Sequence, residues 1–242
     1  MLLVILVVIL GSLDLQTLAI VIIPILSVLV IYITISFIRS KKRYNLLDTD
    51  CDPEAFLYRT EKQKEITGKN PKLNACLDID RAAALIASGQ FEKAKEILLS
   101  IDKKLLSHKN GTLLVYTINL ISCLYELGEV DRAEELFETQ IPILSPVTKK
   151  MMLAVNMLVA ERFFHLKRYN ESREHFKKLW KDKLSIRKRL EILYRLAQID
   201  EIEGNTEDAL KKYRKVADNG NKLWIAAMAR EKCGEAESRQ GF

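Results

Sequence analysis

Apolar residues follow two different patterns along this chain. Residues 17–38 run without a single charge. A helix over this stretch would be roughly 33 Å long, enough to cross a hydrocarbon core of about 30 Å. From residue 52 onward, apolar positions recur at helical spacing, and no run alternates with the period of two that a strand requires. The sequence therefore predicts an all-α protein, with a transmembrane helix over 17–38 and a helical domain over 52–242.

The segment before the predicted span, residues 1–16, is harder to assign. Its ten apolar residues Met1–Leu10 are too few for a comfortable span, and Gly11, Asp14 and Gln16 separate them from the longer apolar run. A first span, a re-entrant piece and an interfacial helix all remain open. A cleaved signal peptide is disfavoured, because no basic residue precedes the apolar run and no small-x-small cleavage site comes after it.

Basic residues follow the span directly. Arg39, Lys41, Lys42 and Arg43 begin a predicted juxtamembrane linker over 39–51, whereas Asp14 is the only charge before the span. The positive-inside rule then places the helical domain in the cytoplasm. We expect a single-pass protein of the cell membrane, or a two-pass one if residues 1–10 also cross. The compact layout of anchor and repeats suggests a bacterial origin.

A short motif recurs four times in the helical domain. The turns of "LIASGQFEKAKEIL", "CLYELGEVDRAEELF", "RFFHLKRYNESREHF" and "QIDEIEGNTEDALKKY" align at Gly89, Gly128, Lys167 and Gly204, with spacings of 39, 39 and 37 residues. A small residue precedes each turn by seven positions, except at Ile121, and another follows it by five. Small residues at these places let two antiparallel helices approach closely, and glycine supplies the left-handed turn.

These units resemble tetratricopeptide repeats. The residues that match the family pattern are the first-helix Ala82, Ala160 and Ala197, the turn glycines Gly89, Gly128 and Gly204, and the second-helix Ala94, Ala133 and Ala209. The departures are Lys167 and Ser172 in the third unit, Ile121 in the second, a missing first-helix Trp and a period longer than the family's 34 residues. The resemblance implies an α-solenoid of helix pairs near 70–107, 112–142, 146–181 and 185–219, with a cap over 221–238.

In this family the first helix of each pair lines a concave surface that binds a peptide or another protein. The resemblance therefore implies a membrane-anchored scaffold or adaptor with a protein or peptide partner. The first-helix residues that would line its groove are Asp78, Thr117, Asn119, Asn156 and Arg195. For each one taken singly, an ordinary solvated position is the simpler interpretation.

Charge marks a second candidate surface. The net charge of +6 leaves the part after Arg43 near neutral, which argues against a dedicated nucleic-acid binder. Residues 177–189 are nevertheless strongly basic, and they could dock an acidic partner or anionic headgroups. A solvated helix end is the simpler interpretation. The basic residues are Lys177, Lys178, Lys181, Lys183, Arg187, Lys188 and Arg189.

Signs of catalysis are weak. The pairs Glu161 with His165 and Glu171 with His175 are each one helical turn apart and could share a metal, although an exposed helix face explains them more simply. The four cysteines form no C-x-x-C pair, and no phosphate-binding or nucleophile motif occurs. We therefore expect a non-enzymatic protein without cofactor or metal. The alternatives are a lipid- or nucleic-acid-binding module using residues 177–189, or an extracytoplasmic repeat protein that assists folding or export.

Overall fold

The computed structural model of the protein describes residues 15–240, so the predicted segment 1–16 lies outside it except for its last two residues. Within 15–240 there are eleven α-helices and no strand, as predicted. In chain order they are α1 (Leu15–Asp48), α2 (Pro53–Thr67), α3 (Pro71–Ala87), α4 (Phe91–Ser100), α5 (Thr112–Glu126), α6 (Val130–Gln140), α7 (Lys149–His165), α8 (Tyr169–Leu179), α9 (Ile186–Ile202), α10 (Thr206–Asn219) and α11 (Trp224–Gln240). The chain divides between Tyr44 and Asn45 into two compact units.

Helix α1 is long and apolar. Its part Ile22–Asp48 has the length and composition to cross a membrane, a property that signal sequences near an N-terminus share. The hydroxyls of Ser27 and Thr34 each donate a hydrogen bond of 2.7 Å to the carbonyl oxygen four residues earlier. This satisfies both hydroxyls within the helix, as a hydrocarbon surrounding would require.

The predicted juxtamembrane linker over 39–51 is helical for most of its length. Helix α1 continues without a break to Asp48, because this stretch contains neither glycine nor proline to end it. Leu47 and Cys51, at the end of the predicted linker, are buried in the core of the second unit.

The second unit, Asn45–Phe242, is an α-solenoid of four helix pairs. The pairs are α3 with α4, α5 with α6, α7 with α8, and α9 with α10, and each falls within one predicted unit. Helix α2 packs against α3 at one end, and α11 packs against α10 at the other. Short 3-10 turns at Lys103–Leu105 and Ile141–Ile143 occupy the first two links between units, where the longer period of this chain adds residues.

The four turns share one geometry. Gly89, Gly128 and Gly204 have φ values of 75°, 76° and 83°, and Lys167 adopts the same left-handed conformation at 58°. In each turn this residue donates its backbone N–H to the carbonyl three residues back, and the next residue donates to the carbonyl five back. These two hydrogen bonds form the Schellman motif that ends a helix and starts a reversal.

The small residues predicted for helix packing are buried. Ala82, Ala160 and Ala197 on the first helices and Ala94 and Ala133 on the second helices have no exposed surface. Ala209 is 2 % exposed. Ile121 and Ser172, which stand where the other repeats have alanine, are fully buried as well. The two helices of each repeat therefore pack closely even where the side chain differs.

The two ends of the solenoid meet. One buried cluster joins Ala84 and Ala87 of α3 to Leu223, Ile225 and Ala226 of the last helix region. The rings of Phe91 and Trp224 contact edge to face with centroids 5.4 Å apart, and Lys222 donates its backbone N–H to the carbonyl of Cys51 at 3.2 Å. The predicted cap thus packs on the last repeat and also on the first. We call this contact between α11 and the first repeat, α3 with α4, the seam.

Candidate functional site on the first helices of the repeats

The five predicted groove residues differ widely in exposure. Asn156 is exposed, Asp78 and Asn119 are half-buried, and Thr117 and Arg195 are buried. Asp78 already pairs with Lys64 at 2.6 Å and with Arg81 at 2.8 Å. Thr117 donates its hydroxyl to the carbonyl of Leu113 in its own helix at 2.9 Å. The first helices therefore do not present these five side chains as one open groove.

Arg195 instead joins three repeats. Its guanidinium binds Glu161 of α7 at 2.7 Å and Glu126 of α5. The same group donates to Gln198 at 2.8 Å and lies over the ring of Phe164, 4.8 Å from the centroid. Only 7 % of the Arg195 side chain is exposed. One buried cation thus connects α5, α7 and α9, the first helices of the second, third and fourth repeats.

Glu191 extends this group of charges toward the start of α9. It accepts hydrogen bonds from Arg187 and Lys188, both at 2.7 Å, and Arg187 also binds Asp48 at the end of α1 at 3.0 Å. We call Glu126, Glu161, Glu191, Arg187 and Arg195 the inner charged cluster. Because its members come from different units, spacing along the sequence gives no sign of it.

Burial changes the proton affinity of two groups here. Desolvation raises the pKa of Glu161 to about 7, with the neighbouring carboxylates of Glu126 and Glu191 adding to the rise and Arg195 opposing it. Desolvation, helped by Arg195, lowers the pKa of His165 to about 3. The imidazole of His165 stacks on Tyr125 with centroids 4.8 Å apart. At neutral pH this histidine is therefore uncharged.

A metal could in principle use this place, since ligand atoms of Glu126, Glu161 and His165 lie within 4.8 Å of one another. However, both carboxylates already bind Arg195, so a cation would have to displace a buried guanidinium. The interpretation of Glu161 and His165 as an exposed face is wrong, because both are mostly buried against neighbouring helices. In the second pair, Glu171 binds Arg168 at 2.7 Å.

Asn119 is the one predicted groove residue with a buried side-chain atom that lacks a hydrogen-bond partner among the described residues. That atom is its amide nitrogen Nδ2. Asn119 lies seven residues before Glu126 on α5, which puts both on one face of the helix. An unpaired buried donor costs about 1–3 kcal/mol.

The basic residues of 177–189 fall into two groups, one half-buried and one exposed. Arg187 and Lys188 are half-buried and both pair with Glu191. Lys177, Lys178, Lys181, Lys183 and Arg189 are exposed, and of these only Lys177 forms an ion pair within the described chain, with Glu174 at 3.3 Å. The exposed group forms a surface between the end of α8 and the start of α9.

No family model, no curated protein and no solved structure matches this chain. The molecule itself offers a repeated helix-pair geometry, an apolar helix, an unpaired donor at Asn119 and an exposed basic surface after α8.

Proposed function

We propose that this protein is a membrane-anchored helical-repeat scaffold that binds a protein or peptide partner. The anchor is α1, whose side chains from Ile23 to Lys42 are exposed in the structure. Large apolar side chains left in water along this length would be unfavourable, whereas lipid would cover them. Orientation by the positive-inside rule puts the repeats at the cytoplasmic face.

The resemblance to tetratricopeptide repeats is part of the proposal. Its support is the Schellman turn at four equivalent positions and the burial of small residues on both helices of each pair. Stacked helix pairs of this kind present extended surfaces whose side chains change without disturbing the packing positions. A scaffold that recognises another chain suits such an architecture.

The observation that carries partner binding is the set of four stacked first helices, on which Asn156 is exposed. A peptide in extended conformation has free backbone carbonyl and N–H groups, and an exposed amide such as that of Asn156 can pair with them. Charges of the inner charged cluster are paired with one another or with Asp48 and Lys188, so a backbone contact is favoured over recognition of a charged side chain. We therefore expect the partner to contribute a segment without regular structure of its own.

Photo-cross-linking of the full chain tests this proposal. A photoreactive residue at Asn156, exposed on the first helix of the third unit, should cross-link to one defined partner. The same residue at Asn170, exposed on the second helix of that unit, is the matched control. Equal capture from both positions would refute partner binding on the first helices.

The cytoplasmic placement has its own test. Asn110-Gly-Thr and Asn170-Glu-Ser are glycosylation sequons with exposed asparagines. Synthesis of the full chain with microsomal membranes should leave both unmodified if the repeats stay on the cytoplasmic side. A mass increase that the double variant Asn110→Gln and Asn170→Gln abolishes would reverse the orientation.

A further inference from the structure

The exposed basic residues after α8 form a surface with unusual chemistry. Lys178, Lys181, Lys183 and Arg189 have no acidic partner within 15–240, although the rest of this unit is rich in ion pairs. The only acidic residue among them is Asp182. We call Lys177, Lys178, Lys181, Lys183 and Arg189, with Trp180 and Ile186, the α8–α9 surface.

Apolar side chains lie among these cations. Trp180 is 37 % exposed and Ile186 is 45 % exposed, and the guanidinium of Arg189 lies over the Trp180 ring, 5.4 Å from its centroid. Trp beside Lys and Arg is the composition that favours the boundary between headgroups and acyl chains. An ordinary solvated helix end needs no exposed Trp.

The α8–α9 surface lies next to a contact with Asp48. Arg187 lies in the first turn of α9 and binds Asp48 at 3.0 Å. Asp48 follows Ile38, the last residue of the uncharged stretch, by ten residues. Ten residues cannot span more than about 36 Å even when fully extended. If α1 spans a membrane, the surface therefore stays within reach of the headgroups.

We propose that the α8–α9 surface binds anionic lipid headgroups and docks the repeat domain on the bilayer that holds α1. The lysine ammonium groups would contact headgroup phosphates and carboxylates, while Trp180 and Ile186 enter the interface. The inference goes beyond partner binding, which uses the first helices, but it rests on membrane insertion of α1.

Lipid is favoured over nucleic acid by three observations. The exposed Trp180 and Ile186 suit an acyl boundary, and α1, if it spans a membrane, keeps lipid within reach. The remainder of residues 44–242 is net acidic, with −3 once the stretch 177–189 is set aside, so a long polyanion would be repelled beyond the surface itself.

Quenching of Trp180 by brominated lipid tests the inference. The full chain is placed in nanodiscs of brominated phosphatidylcholine, with or without about 30 % phosphatidylserine. The difference between wild type and Trp180→Phe isolates the signal of Trp180 from that of Trp224. We expect strong quenching with phosphatidylserine, weak quenching without it, and loss of the difference at high salt because exposed charges are screened.

A matched pair of variants tests the charges. Lys178→Gln, Lys181→Gln and Lys183→Gln together should lower the ratio of docked to undocked domains on the order of 100-fold, about 1 kcal/mol per Lys. Lys109→Gln, Lys149→Gln and Lys150→Gln remove three exposed charges elsewhere and should leave quenching unchanged. Arg189 is kept so that its contact with the Trp180 ring is not disturbed.

Three results would overturn the inference. A chain recovered outside the nanodiscs would refute the anchor, and docking with it. A chain within the discs whose Trp180 is quenched equally with and without phosphatidylserine would refute docking alone and leave partner binding standing. A Trp180 signal that responds to an added oligonucleotide in neutral discs, but not to phosphatidylserine, would assign the surface to nucleic acid.

Discussion

Ser172 of α8 donates its buried hydroxyl to the backbone carbonyl of Ala160 on α7, with Oγ and the carbonyl oxygen 2.9 Å apart. The other three repeats have alanine at the position of Ser172. The serine therefore keeps the close approach of the two helices and adds a hydrogen bond across them, so the hydroxyl is satisfied rather than left unpaired in an apolar contact.

Ser172→Ala should lower the free energy of unfolding of the repeats by about 1 kcal/mol, because one buried hydrogen bond is lost while the packing stays. Ser172→Leu should cost about 3 kcal/mol, because the larger side chain has no room between the helices. Urea unfolding followed by tryptophan fluorescence measures both, since Trp180 and Trp224 lie in the repeat unit. A leucine variant as stable as the alanine variant would contradict this close contact.

Lys167 adopts a left-handed backbone conformation, which costs free energy for a lysine but not for a glycine. Its φ of 58° lies in the same left-handed region as the 76° of Gly128. Lys167→Gly should therefore stabilise the repeats by about 1 kcal/mol, and Gly128→Ala should destabilise them by about as much. Urea midpoints of the two variants should move in opposite directions.

The control for these turns is Gly234, which lies inside α11 without a positive φ and with no atom near the place of an added Cβ. Gly234→Ala should stabilise the helix by about 0.5–1 kcal/mol. If Gly128→Ala were as harmless as Gly234→Ala, left-handed strain would not govern the turns.

The seam makes the first turn different from the others. A Cβ added at Gly89 would lie 2.8 Å from the Cβ of Trp224, whereas one added at Gly128 meets nothing within 4 Å. Gly89→Ala should thus destabilise the repeats more than Gly128→Ala, by about 2 kcal/mol in addition, because overpacking adds to the strain. In a double-mutant cycle, Trp224→Gly, which removes that Cβ, should remove this excess.

Additive effects of Gly89→Ala and Trp224→Gly would show that the first repeat and α11 do not contact in solution. The cycle isolates that contact because Trp224→Gly removes the Cβ that the new methyl group would meet. Gly128→Ala combined with Trp224→Gly serves as the control pair and should be additive.

Local signals in the sequence are sufficient to predict the helix pairs and their turns. Glycine at Gly89, Gly128 and Gly204 and small residues such as Ala94 act within one unit, so their spacing along the chain carries the information. Even Lys167, a departure from the pattern, aligns correctly because the residues around it preserve the register. The helical state of residues 39–48 within the predicted linker over 39–51 could not be predicted in this way, because a basic cluster indicates membrane orientation but does not end a helix.

The seam and the inner charged cluster could not be predicted in this way. Arg195 meets Glu126 across 69 residues, and this contact depends on how far each repeat rotates relative to the next. That rotation arises from many small packing contacts and leaves no motif. Arg195 and Thr117, two of the residues predicted to line a groove, are therefore buried by the tight stacking of the first helices.

The last prediction concerns the opposite titrations of Glu161 and His165. The pKa of Glu161 is raised to about 7 from 4.5, so the folded state binds the extra proton. Its contribution to stability is complete below pH 4.5 and is lost as the pH rises to 7. The pKa of His165 is lowered to about 3 from 6.5, so its contribution is present above pH 6.5 and is lost as the pH falls toward 3.

Between about pH 4.5 and 6.5 the two slopes cancel in the wild type, and single variants should expose them. In Glu161→Gln the stability should fall as the pH drops through this window, by about 1.4 kcal/mol per pH unit, because only His165 titrates. In His165→Gln it should rise by a similar amount, because only Glu161 titrates. Glu171→Gln, at an exposed ion pair, should stay close to the wild-type profile in the upper part of this window. Urea midpoints at several pH values measure all four proteins, and slopes of the same sign in both buried variants would contradict the burial of this pair beside Arg195.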